Sequence, residues 1–197
     1  MTQATTQRVR FLFDPACPWA WRAARWIREA ARYRPIAIAW EVLSLTELNR
    51  ERMDAAALER AARRQPALRL LVRAREQFGN EGIDRLYATL GDAIHGRNCS
   101  GEDRATLETA LREAELPESL LATHDDQRID EIIARAATVA MRSGAFGVPT
   151  LYFDDNPAPY FGPVIDPPPA GEDAARLWDH LAGLATMSCF YELKRPR

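Results

Sequence analysis

Apolar and polar residues alternate near the start of the chain. Val9, Phe11 and Phe13 are separated by Arg10 and Leu12, which predicts a fairly buried strand ending at Asp14-Pro15. The period then changes. Ala20, Ala23, Ala24, Ile27, Ala30 and Ala31 recur at helical spacing, with Arg22, Arg25 and Arg28 expected on the solvent side. Arg34-Pro35 closes that helix, and Ile36 to Leu43 reads as a second strand. Strand, helix and strand in this order favour a parallel pair joined by a right-handed crossover.

From about Leu45 to about Leu121 the strand signals vanish. Leu70, Leu71, Ala74 and Phe78 form one helical stripe; Ile83, Leu86, Tyr87, Leu90 and Ile94 form a second. A third, Leu107, Ala110, Leu111 and Ala114, opens at a turn over Ser100 to Asp103. Gly79 to Gly82 and Pro117 act as breakers, and the charged stretch Arg50 to Arg64 reads as a solvated helix face. The last third resumes the mixed pattern. Ile129, Ile132, Ile133, Ala136, Ala137, Ala140 and Met141 predict a helix stopping near Gly144. Thr150 to Phe153 and Tyr160 to Gly162 predict a hairpin turning at Asp154-Asp155-Asn156-Pro157. Ala174, Leu177, Trp178, Leu181 and Leu184 predict a final helix.

Composition narrows the picture. A chain of 197 residues with 47% hydrophobic content supports one substantial domain, or one carrying a large insertion. A net charge of −2 gives no footprint for nucleic acid or an anionic membrane. No apolar run is long enough to span a bilayer, and Met1 to Arg10 has no apolar leader core, so a cytoplasmic protein is expected. The three cysteines, at 17, 99 and 189, have neither a disulfide-framework pattern nor metal-ligand spacing. No metal site and no nicotinamide fingerprint is expected.

The candidate chemistry centres on Cys17. It stands where a helix begins, so free backbone N–H groups and the helix dipole would stabilise a thiolate and depress its pKa. Pro18 suits the first helical turn, where a missing N–H costs nothing. Trp26 reads as core and Trp19 as a contact surface for substrate; Trp19, Trp21, Tyr160 and Phe161 could frame a ligand pocket. His95 reads either as a helix C-terminal cap or as a residue facing Cys17 from the middle of the chain. Cys99 reads as an inert small residue or as a thiol that resolves a disulfide with Cys17. Cys189, beside Phe190 and Tyr191, reads as a buried structural thiol.

Several stretches carry a family resemblance. They are Phe13-Asp14-Pro15-Ala16-Cys17-Pro18-Trp19, Ser44-Leu45 with Leu48-Asn49, Ile94-His95, Val148-Pro149-Thr150, Phe161-Gly162-Pro163, Leu177-Trp178-Asp179 and Phe190-Tyr191-Glu192-Leu193-Lys194-Arg195. Taken in order, they make the chain resemble the DsbA-like branch of the thioredoxin superfamily, and within it the actinobacterial mycothiol-dependent nitroreductase family. The resemblance implies an α/β thioredoxin-like fold: a central mixed sheet with flanking helices, over residues 1–45 and 122–197, and an inserted all-helical subdomain over 46–121. It implies Cys17 as nucleophile, Trp19 and Asn49 as site residues and Pro149 as a cis-proline; the residue pattern itself adds Pro18, His95, Val148 and Phe161 around the substrate, Val148 through the backbone that a cis bond to Pro149 would leave open. It also implies mycothiol as co-substrate, a small electrophile or disulfide as second substrate, and leaves a homodimer open.

One position departs from the family pattern. Ala20 stands where a Cys-x-x-Cys site has its resolving cysteine. A dithiol site releases its mixed disulfide with the second thiol, whereas Cys17 alone needs a thiol from elsewhere. A monothiol oxidoreductase is therefore expected. The alternatives are a transferase or isomerase resembling kappa-class glutathione transferases, a non-catalytic small-molecule binder, and a dithiol enzyme altered at position 20 to trap an intermediate.

Overall fold

The computed structural model describes residues 6–154 and 156–196; the first five residues of the polar N-terminal stretch, Asp155 of the hairpin turn and the last residue lie outside them. Strand β1 (Gln7–Phe13) leads into helix α1 (Pro18–Ala30), and β2 (Ile36–Val42) returns alongside β1. Helices α2 (Leu45–Asn49), α3 (Ala55–Ala62), α4 (Gln65–Gly91) and α5 (Arg104–Glu113) follow. Helix α6 (Asp126–Arg142), strands β3 (Thr150–Phe153) and β4 (Asn156–Phe161), and helix α7 (Glu172–Ala185) complete the chain. The sheet order is β2-β1-β3-β4, with β1 and β2 parallel and the other pairs antiparallel. This is a mixed α/β thioredoxin fold of the DsbA-like kind with an inserted helical region.

The alternation in β1 sends Val9, Phe11 and Phe13 into the core, where Phe13 stacks on Tyr87 of α4 with ring centroids 3.7 Å apart. Trp40 of β2 closes the same cluster edge-on to Phe13 and Tyr87. Trp26 is fully buried, and its indole N–H donates to the carbonyl of Ala174 at 3.0 Å, joining α1 to α7.

Three departures from the sequence pattern have plain causes. Helix α1 ends at Ala30, before Arg34, because the Ala30 carbonyl is taken by the N–H groups of Tyr33 and Arg34 in a closing turn. Arg28 does not face solvent: its guanidinium lies 4.2 Å over the Trp40 ring and pairs with Asp84. Phe78 and Met141 are exposed, each at the rim of its helix's buried stripe.

The two middle stripes form one helix with a break. Gly79 has φ +66, a left-handed conformation that glycine adopts without a Cβ clash, and it kinks α4. Just past the kink, the Asn80 side chain accepts from the Trp40 N–H at 2.8 Å and donates to the Ile38 carbonyl at 2.8 Å. Arg75 donates to the Trp40 carbonyl at 2.6 Å. Before the kink, α4 is tied to α6 by charge. Arg69 pairs with Asp126 and Asp130, buried Arg73 with Asp125 and Asp126, and Glu76 with Arg128.

Candidate active site

Cys17 is the N-cap of α1, with extended backbone, and Pro18 takes the first helical position. Its sulfur receives the Ala20 N–H at 3.5 Å and lies 3.7 Å from the Val148 carbonyl, to which the thiol donates. The thiol is only 7% exposed. Burial pushes the Cys17 thiol above its ordinary value; the Ala20 and Trp19 N–H groups pull it back, and Asp14 adds to the rise. The depressed pKa expected from the helix start is thus corrected. The cap groups are in place, but in this closed arrangement desolvation outweighs them.

The loop before Cys17 is held from both sides. Asp14, 4% exposed, accepts from Ala16 N–H at 2.9 Å and from Leu45 N–H at 2.8 Å, so one carboxylate fixes the loop and the start of α2 together. Burial raises the Asp14 carboxyl against the pull of those two bonds. His95 lies in the last turn after α4, which widens to a π-turn over Asp92–Gly96. Its Nε2 bonds the Pro15 carbonyl at 2.8 Å and its ring stacks with Trp21. A carbonyl accepts only, so Nε2 carries the proton. Burial lowers the His95 pKa, which favours that neutral ring.

Val148-Pro149 is cis, as expected; Gly162-Pro163 and Asp166-Pro167 are also cis, which no sequence signal foretold. The Pro149 carbonyl accepts from Gly162 N–H at 2.8 Å, which brings the end of β4 beside it. Phe161 there is 45% exposed and lies against Phe146, itself 73% exposed, with centroids 5.1 Å apart. On the α1 side, Arg22 stacks 4.8 Å over the half-buried Trp19 ring and pairs with Asp166.

The expected site residues divide accordingly. Cys17 and Val148 touch; Pro18, Trp19, Pro149 and Phe161 lie on the segments that frame them. His95 meets the cysteine loop through its backbone. Asn49 bonds its own helix, donating to the Leu45 carbonyl at 2.7 Å. Trp21 is buried against Tyr87 rather than at a mouth, and Tyr160 bonds the Ala185 carbonyl.

All three cysteines are free. Cys189 is exposed, not buried as its aromatic neighbours implied, because Tyr191 beyond it is itself exposed. Cys99 is also exposed and lines a cleft of about 240 Å³ that reaches Pro15 and Ala16.

Three residues were missed at the sequence level. Asp14 had a signal, an acid ahead of a proline at a strand end, but its second partner lies across the fold. Phe146 carried no signal. Tyr87 read only as core, yet its buried hydroxyl has no hydrogen-bond partner among the described residues. Burial drives its pKa well up, with Arg28 opposing and Cys17 and Asp14 adding to the rise.

Comparison with known proteins gives this arrangement a family. The family model described as "Rv2466c-like: Mycothiol-dependent nitroreductase Rv2466c" matches residues 16–195, a span that includes Cys17, His95 and Pro149. Uncharacterized protein Rv2286c of Mycobacterium tuberculosis (strain ATCC 25618 / H37Rv) is 33% identical over 196 residues, covering 96% of this chain and 82% of that protein. Among solved structures, the cytosolic disulfide reductase DsbM from Pseudomonas aeruginosa aligns with TM-score 0.61 at 16% identity, over 90% of this chain and 100% of that one. The probable DsbA oxidoreductase SCO1869 from Streptomyces coelicolor aligns with TM-score 0.61 at 19% identity, over 96% and 94% of the two chains. At those identities the two structures speak for the fold alone. Nearly the whole chain, from the residue before Cys17 to the C-terminal stretch, is matched, and the protein belongs to the Rv2466c-like family of mycothiol-dependent nitroreductases.

Proposed function

We propose that this protein is a cytoplasmic monothiol reductase in which Cys17 and mycothiol reduce a disulfide or a small electrophile. The observation that carries the reading is a capped, buried Cys17 followed three residues on by Ala20, whose N–H, not a thiol, meets the sulfur. The family's dependence on mycothiol supports the choice of thiol.

For a disulfide R–S–S–M, where M–S is the mycothiol part, the Cys17 thiolate attacks the mycothiol sulfur. The S–S bond breaks, R–S⁻ leaves and takes a proton, and Cys17–S–S–M remains. A second mycothiol thiolate then attacks the mycothiol sulfur of that adduct. M–S–S–M forms and the Cys17 thiolate returns, held by the Ala20 and Trp19 N–H groups. The same oxidation of two mycothiols to one disulfide supplies the two electrons needed by a small electrophile. Substrate contact is assigned to Pro18, Trp19, Val148, Pro149 and Phe161, with Phe146 added. His95 and Asn49 serve as positioning residues through the backbone groups they bond.

Intact mass after incubation with mycothiol disulfide tests this, in protein carrying Cys99→Ser and Cys189→Ser. One mycothiol adduct is expected, absent after Cys17→Ser and removed by free mycothiol. Adding Ala20→Cys should release the adduct without added thiol, by closing a disulfide to Cys17. No adduct on a Cys17 that still reacts with an alkylating reagent overturns the proposal.

A further inference from the structure

The segment between β4 and α7 is tied at two points that bracket Cys17. At its start the Gly162 N–H donates to the Pro149 carbonyl at 2.8 Å, one residue past the Val148 carbonyl that the Cys17 thiol meets. Farther on, the Asp166 carboxylate pairs with Arg22 of α1 at 3.1 Å. Between these ties Pro163, Val164 and Ile165 are half-buried, and Ile165 packs on the main core. Arg22 in turn stacks over the Trp19 ring, one helical turn before it, and the Trp19 N–H bonds the Cys17 sulfur. Contacts thus run in a closed circuit from Cys17 through Val148, Pro149, Gly162 and Asp166 to Arg22 and Trp19, and back to Cys17. Residues 162–166 close that circuit as a strap.

The two ties differ in strength. The first is a backbone bond on a buried residue. The second is an ion pair whose side chains are 34% and 53% exposed, so water competes for both charges. Gly162, at φ +116, gives the strap a pivot beside its firm end. The strap is therefore held fast at Pro149 and only latched at Arg22.

We propose that the Arg22–Asp166 pair is a latch on this strap and selects the partners of Cys17 by size. With the latch closed, the buried thiol takes small disulfides and electrophiles, and bulky ones, such as a disulfide set in a folded protein, are excluded. Arg22 is a positioning residue: it acts through the Trp19 ring and the strap. The inference rests on Cys17 as the reacting thiol and narrows the proposed substrate to small molecules. The test compares two reagents with one reacting group, N-ethylmaleimide and the bulkier N-(1-pyrenyl)maleimide, on Cys17 in the Cys99→Ser/Cys189→Ser protein. The ratio of their rates does not depend on the thiolate fraction, which is common to both. Arg22→Met and Asp166→Asn should each raise the pyrenyl-to-ethyl ratio by up to about fivefold, the effect of losing one exposed ion pair. The two changes together should do no more than either alone, because they break the same contact. Exchanging the charges, Arg22→Asp with Asp166→Arg, should restore the original ratio. Salt at about 1 M, where screening acts within about 3 Å, should move the original ratio toward that of the variants.

A ratio that neither single change moves overturns the proposal, even if both rates shift together, since that reports the thiol and not access to it. A charge exchange that leaves the ratio raised also overturns it, because the stack on Trp19 and not the pair would then set access. If the ratio responds as described and no mycothiol adduct forms on Cys17, the monothiol reading falls and the latch stands. If the adduct forms and the ratio does not respond, only the latch falls.

Discussion

Cys17 sits under two opposing influences. The Ala20 and Trp19 N–H groups favour the thiolate, while burial and the nearby Asp14 favour the thiol, and burial is the largest of the four. The thiol also has an acceptor for its proton in the Val148 carbonyl. The expected outcome is a pH profile for alkylation of Cys17, measured in the Cys99→Ser/Cys189→Ser protein, whose midpoint lies above the roughly 8.5 of a free cysteine. A midpoint below that value would mean that the cap groups outweigh burial after all. Among single residues, Cys17, Pro18 and the Val148-Pro149 bond were legible because each depends on its immediate neighbours. Asp14 bridging to Leu45, Tyr87 under the site and Phe146 against Phe161 were not. Those are pairings between residues far apart in the chain, which a local period does not encode. The exposure of Cys189 escaped for the same reason: aromatic neighbours in sequence say nothing about whether the fold covers them.

Helices α1 and α4 meet through Trp21, which packs edge-on to Tyr87 and against the backbone of Gly91. A Cβ placed on Gly91 would come within 2.3 Å of the Trp21 ring, far inside contact distance. Gly91→Ala is therefore expected to cost about 1–3 kcal/mol through overpacking. Urea unfolding checks the cost. Because Trp21 also stacks with His95, the same change should alter Trp fluorescence and slow formation of the Cys17 adduct. At this scale the sequence pattern did well. The β1 and β2 strands, the pairing of β3 with β4 and the break in α4 at Gly79 follow from period and breakers, although β4 begins at Asn156, inside the expected turn, and not at Tyr160. The pattern failed where a charged side chain was assumed to seek water. Arg28 covers the Trp40 ring instead, since its flat guanidinium can stack while still pairing with Asp84.

Across the whole molecule, the inserted helices are joined to α6 by ion pairs rather than by a large apolar seam. The small cluster of Leu68, Val72, Ile129 and Ile133 is the apolar part of that contact. Arg128 and Arg73 hold the Asp125 carboxyl down to about 2, Arg128 lowers Glu76, and Arg69 lowers Asp130. A carboxyl with a depressed folded pKa stabilises the fold fully above its unfolded value, roughly 3.9 for Asp, and loses that contribution as pH falls through the folded value. Arg128→Gln should thus lower unfolding stability by a constant amount above about pH 5, where the unfolded Asp125 and Glu76 are both ionised. For Asp125, the gap to wild type should shrink as pH falls toward about 2. Urea titrations across that range measure it, and a gap that persists unchanged would show that packing, not charge, is what Arg128 supplies.

The side chain of Asn80 has a further consequence. Strand β2 ends the sheet, and the outward backbone groups of an end strand are a template on which another chain can add itself. Asn80 occupies that template at Ile38 and Trp40, and Arg75 takes the Trp40 carbonyl beside it. One amide side chain, set in place by a glycine kink, stands in for a neighbouring strand. The inserted helices therefore guard the sheet against self-association as well as shaping the surroundings of Cys17.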